Sequence, residues 1–176
     1  NLIETHSHLC DPSFDADRNE AVARAQQSGI SAIIEIADSP KVWEQAHIFS
    51  QSSALTQEAE GRSHFIYWSC GFHPHYADDF SKGAFDTMKS FASSKSCVAI
   101  GEIGLDYVRS RTSKESQIFL FEKMIALAVE LEKPVVIHCR ESHSDVLRVL
   151  KNFFQVRNPG HSEPGVIHCF SGDMKY

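Results

Sequence analysis

Apolar runs of strand length recur along this chain, and five of them end in an ionisable residue. These ends fall at His6 and His8, at His73 and His75, at Glu102, at His138 and at His168. Side chains alternate faces along a strand, so His6 and His8 project to the same side and can grip one ion together. Between the runs the apolar period lengthens to that of a helix. Strands are expected at Leu2 to His6, Ser31 to Ala37, His64 to Cys70, Cys97 to Gly101, Val135 to His138 and Gly165 to His168. Helices are expected over Asp15 to Ser28, Ser39 to Ser50, Ser81 to Ser93, Ser113 to Glu132 and Ser142 to Phe154. Gly29 stops the first helix and Pro40 opens the second. Ser113 caps the fourth, whose buried stripe is Ile118, Phe121, Ile125, Ala128 and Val129.

Alternation of strand and helix predicts a parallel α/β fold. An open doubly wound sheet gathers its ligands at one switch point, whereas here chemistry follows strands one, three, four, five and six. The expected architecture is therefore a TIM (β/α)8 barrel with its site at the C-terminal ends of the strands. Only about six βα units are present in the 176 residues. Such a sheet would leave two unpaired edges and an apolar interior. The chain is thus expected to be a C-terminally incomplete barrel, its remainder cleaved, disordered or supplied by another chain.

A single domain, 1–176, of which 42% is hydrophobic, is large enough for a sizeable core. A formal charge of -6 argues against a generally basic, nucleic-acid-coating surface. It does not exclude a nucleic-acid substrate, because a metal site supplies positive charge locally. Five cysteines without a CxxC pair read as reduced thiols of a cytoplasmic protein. No run is long enough to span a bilayer and no basic-then-apolar leader is expected, so no membrane partner is foreseen.

Five blocks occur in order: ETHSHL at Glu4 to Leu9, GFHPH at Gly71 to His75, GEIGLD at Gly101 to Asp106, PVVIHCR at Pro134 to Arg140, and VIHCFSG at Val166 to Gly172. Together they resemble the TatD family of metal-dependent deoxyribonucleases, which are amidohydrolase-like TIM-barrel hydrolases. The resemblance spans the whole chain, and members of the family are longer, so the last third of the fold would be missing. It implies a centre of two divalent ions, whether Zn, Mg, Mn or Co. His6 and His8 would hold the first ion, Glu102 would bridge both and serve catalysis, and His138 and His168 would complete the second. It also implies a monomeric nuclease or phosphodiesterase that hydrolyses DNA, from ends or single strands, with a metal-activated water. Two departures stand out. The family's aspartate in an ETDAP-like block has no counterpart here, and Glu4 occupies a position where aspartate is usual.

The chemistry of the donors agrees. Two ions about 3.5–4 Å apart clamp the oxygens of a phosphodiester, and glutamate can offer one oxygen to each. Neutral imidazoles suit the outer positions when an outer partner orients them. Gly101 and Gly104 are expected to let the backbone pass close to the ions. Either His73 or His75 is expected to touch the substrate phosphate. Asp106 would orient a ligand, bind substrate, or bond its own backbone in a tight loop. Arg140 would pair a phosphate bidentately or bridge to a neighbouring loop. His47, His64, His143 and His161 read as ordinary, and Phe119 and Phe121 as packing residues rather than a base-stacking platform. Two other functions remain open: the same centre cleaving an amide, lactone or other ester, and an inactive remnant acting through protein contacts.

Overall fold

The expected strands pair in sequence order, β1-β2-β3-β4-β5-β6, every neighbour parallel. In this computed structural model the described residues are 2–52, 64–157 and 165–173. Along them run β1 (Leu2–Ser7), α1 (Arg18–Gln27), β2 (Ile30–Ala37), α2 (Trp43–Ser50), β3 (Ile66–Cys70) and α3 (Lys82–Ala92). Then follow β4 (Cys97–Asp106), α4 (Lys114–Glu130), β5 (Val135–Arg140), α5 (His143–Arg157) and β6 (Gly165–Ile167). A strand order that never reverses excludes the doubly wound sheet. The sheet instead curls as six consecutive units of a TIM barrel. Its curl brings the two ends together: the His6 ring at the tip of β1 stacks on that of His168, just past β6, with centroids 3.5 Å apart. Away from those tips the edges are bare, with Leu2 67% and Val166 57% exposed.

Alternation along the strands makes two buried layers. One face carries Ile33, Trp68, Cys70, Ile103, Leu105 and Ile137 into the helices, against Met88, Phe121, Met124 and Ile125. Burying a side chain of this size contributes about 1.5–3 kcal/mol. Ile36, Ala99 and Val136 are buried outside that cluster and line the concave face.

Several boundaries differ from expectation for local reasons. Asp11 caps a short 3-10 turn, Pro12–Phe14, by accepting from the Ser13 amide, and α1 begins only at Arg18. β4 is ten residues long rather than five, so GEIGLD belongs to a strand and Asp106 to its end. Two glycines in this longer strand lie hard against β5. A Cβ at Gly101 would lie 2.6 Å from the Val136 carbonyl oxygen, and one at Gly104 (φ +135) 2.1 Å from that of His138. These glycines admit the neighbouring strand.

On α4 the stripe is rotated slightly. Leu120, Met124 and Leu127 join Phe121, Ile125 and Ala128, while Ile118 and Val129 lie at its margin. Phe121 is buried as expected, but Phe119 is 51% exposed, meets the edge of Phe80 and has Lys123 Nζ 5.3 Å over its ring. No helix among the described residues is long and apolar enough to cross a membrane. His161 lies outside the described residues.

Candidate metal centre

Two of the ligand-bearing strands bulge where they approach the mouth of the sheet. On β1 the register slips between Glu4 and Ser7, which pair with Ile33 and Glu35. On β4 it slips between Gly101 and Ile103, which pair with Val136 and Ile137. A bulge re-aims the side chain at the extra position. Glu102 sits within the second bulge, and there it turns into the curl, between Ile100 and Ile103, which pack toward the helices.

Glu102 is 5% exposed and presents its two oxygens in two directions. Oε2 lies 3.3 Å from His6 Nε2, and Oε1 lies 3.0 Å from His138 Nδ1. Among the described residues, two sets of ligand atoms each fall within 4.8 Å of one another: His6, His8 and Glu102, and His73, Glu102 and His138. Glu102 belongs to both. This donor set, imidazole nitrogen with carboxylate oxygen, fits Zn, Mn or Co well.

The second set differs from the expected one in its third member. His73 stands with Glu102 and His138, while His168 stacks on His6. His73 ends the loop after β3, where its Nδ1 accepts from the His75 amide and caps the 3-10 turn Pro74–Asp79. His75 is not part of that group and bonds Asp106 Oδ2 through Nε2 at 3.2 Å. Asp106 is 1% exposed, and both its oxygens are occupied. Oδ2 also faces His138 Nε2 at 3.0 Å, and Oδ1 accepts from the amides of Val108 and Arg109. Gln117 completes the seat by bonding the main-chain N–H and carbonyl of Asp106. Arg140 ends β5 opposite Asp106, half-buried.

Charges in this network are set by competition between burial and hydrogen bonding. Burial alone would raise the Glu102 carboxyl, yet bonds from His138 and His6 hold it well below the usual carboxylate range. Asp106 is held low in the same way by the Arg109 and Val108 amides and by His138 and His75. Burial depresses His73 to about 3, which keeps it a neutral donor. Burial also lowers His168, with His6 adding to the effect. For His138 the two carboxylates on its ring nitrogens outweigh burial and raise it.

Two acidic residues escaped the sequence reading, which gave β2 no chemistry. Glu35, in the middle of β2, is fully buried and accepts from Ser7 Oγ, the Leu9 amide and the Cys10 amide. Asp38, just past β2, lies close enough to His8 and Glu102 for their charges to act on it, although burial dominates and raises its carboxyl. The available signal was a lone glutamate inside the apolar run SAIIEIA.

The profile of the TatD related DNase family matches residues 3–176. Over 171 residues the chain is 32% identical to the 3'-5' ssDNA/RNA exonuclease TatD of Pantoea ananatis, covering 97% of this chain and 60% of that protein. It is 31% identical to the uncharacterized metal-dependent hydrolase YabD of Bacillus subtilis, covering 99% and 62%. Among solved structures it resembles YJJV, a TatD homolog from Escherichia coli K12, with TM-score 0.82, 26% identity, and 99% and 62% coverage. It also resembles a TatD family hydrolase of Entamoeba histolytica, with TM-score 0.81, 26% identity, and 97% and 58% coverage. The chain thus spans about 60% of the length of these relatives.

Proposed function

The chain belongs to the TatD related DNase family, and on that premise we propose that it carries most of a two-ion site that hydrolyses phosphodiester bonds at single-stranded or frayed DNA ends. The observation behind this reading is Glu102, whose two oxygens serve two different imidazole groups. His6 and His8 would hold one ion with it, and His73 and His138 the other. Ions held there would activate water for attack and neutralise charge on the phosphate.

The protein's own groups do the rest. Glu102 stays ionised, so it can bridge without first losing a proton. Asp106 holds the far nitrogen of His138 and so fixes the ring that faces Glu102. This gives Asp106 an orienting role in place of substrate contact. His75 is tied to the same carboxylate, and its side chain keeps 38% exposure. His75 and Arg140 are the rim groups proposed to meet a substrate phosphate.

The test uses the full natural polypeptide, stripped of metal and reloaded with Mn²⁺, on end-labelled single-stranded DNA, duplex DNA and RNA, with a lactone and a chromogenic phosphodiester in parallel. Metal-dependent release of nucleotides from single-stranded ends is expected. Cleavage that survives chelation, or lactone turnover exceeding that of every phosphodiester, would overturn the reading.

A further inference from the structure

Glu35 does nothing in the chemistry just described, yet it is a fully buried carboxylate directly behind the first histidine pair. In the β1–β2 register it stands opposite Ser7, the residue between His6 and His8. Alternation turns Ser7 away from the face that those imidazoles occupy, toward the layer where Glu35 lies. There Oε2 accepts from Ser7 Oγ at 2.9 Å and from the Leu9 amide at 2.8 Å, while Oε1 accepts from the Cys10 amide at 2.8 Å. The two oxygens therefore hold the residue between the histidines and two of the amides that follow them.

A buried carboxylate ties one other loop at the mouth, Asp106 Oδ1 accepting from the Val108 and Arg109 amides, and neutral groups add to the ties there. Gln117 holds the turn after β4, and Ser142 Oγ donates to the Leu105 carbonyl. Burying a carboxylate costs more than burying an amide or a hydroxyl, and its hydrogen bonds are correspondingly stronger. A strong anchor is what this loop needs, because β1 is a sheet edge with no neighbour on its other side among the described residues. Its register has also slipped immediately before Ser7.

We infer that Glu35 is a positioning residue: it clamps the turn after β1 from behind, so that His6 and His8 are aimed together at Glu102. The inference rests on the two-ion reading above. Loss of the clamp loosens the His6, His8 and Glu102 group and spares the group built on His73 and His138, which Glu35 does not touch.

Mn²⁺ titration of the full natural polypeptide, followed by electron paramagnetic resonance, tests this without any substrate. Wild type is expected to bind two ions. Glu35→Gln, which keeps the shape but replaces one acceptor oxygen with a donor, is expected to weaken one ion roughly 10–100-fold, the range for losing an outer partner, and to leave the other within about twofold. Amide exchange at Leu9 and Cys10 should quicken in the same variant, while ring resonances of His6 and His8 shift and those of His138 do not. If Glu35→Gln fails to fold, Ser7→Ala removes one of the three bonds at a half-buried position, and a several-fold weakening of the same single ion is expected. Two ions bound with wild-type affinity in a folded variant, or equal weakening of both, would overturn the clamp alone. A wild type that binds no metal would overturn the clamp and the two-ion reading together.

Discussion

The middle of the sheet and its edges build the two halves of this site by different means. In the middle, β4 and β5 are buried along nearly their whole length, and their polar side chains bond one another. Glu102, His138, Asp106 and His75 form a continuous chain of contacts between 3.0 and 3.2 Å. At the edges, β1 is mostly exposed, and β6 is three residues long. His6 reaches Glu102 at 3.3 Å, stacks on His168, and relies on a turn anchored from behind by Glu35. Buried polar networks are rigid when every member is satisfied. The central half is therefore preorganised by the groups that would bind metal and their direct partners, and the edge half by a tether one residue removed. The halves should respond differently to the same kind of damage.

Glu102→Ala is the change expected to erase the difference. It removes the one residue that both halves share, so both ions should be lost and nucleolytic activity should fall at least roughly 10³-fold, beyond the cost of an outer partner. Equilibrium dialysis against Mn²⁺ checks it; retention of one tight ion would show that a half can stand without the bridge. Asp106→Asn comes next. It keeps the shape but removes the charge that orients His138. The central ion should weaken about 10–100-fold while the edge ion holds.

A smaller effect, about 2 kcal/mol, belongs to protons. The pKa of His73 falls from an ordinary 6.5 to about 3 because the ring is buried. In metal-stripped protein the unfolded chain takes up a proton below pH 6.5 that the folded chain refuses. Stability is thus fully present above pH 6.5 and is lost as pH falls toward 3. At about 1.4 kcal/mol per pH unit, roughly 2 kcal/mol should disappear between pH 6.5 and 5. Denaturant melts of His73→Asn should lack that slope relative to wild type. Parallel curves for the two proteins would place His73 in a wetter site than the centre of the sheet provides.

Much of the centre was legible because its signals are local. The Val/Ile runs before His138, the glutamate between apolar residues at Glu102 and the HxH pair at His6 each sit in a short, strongly patterned window. The cap of α4 was readable for the same reason: Ser113 accepts from the Ser116 amide three residues on. What escaped depends on neighbours distant in sequence. The bulges in β1 and β4 arise from pairing register, which no single window encodes. The close approach of Val136 and His138 to Gly101 and Gly104 likewise emerges only once the strands are paired. Glu35 could be noticed as an oddity, but its partners lie 25–28 residues away.

The weakest expected effect is also where the edge and the centre are most easily confused. The family resemblance makes His168 a direct ligand of the second ion. In the structure it belongs to neither compact group and touches the centre through its stack on His6, with its own amide bonded to the Ile137 carbonyl. A stacked pair of rings contributes about 0.5–1.5 kcal/mol, so His168→Ala should loosen only the edge ion, by about three- to tenfold, through a less constrained His6. The central ion should keep its affinity, since His73 would supply the third donor there. Loss of the central ion in this variant would reverse the assignment: His168 would be a ligand after all, and the second ion would draw on a strand at the sheet's edge as well as on its middle.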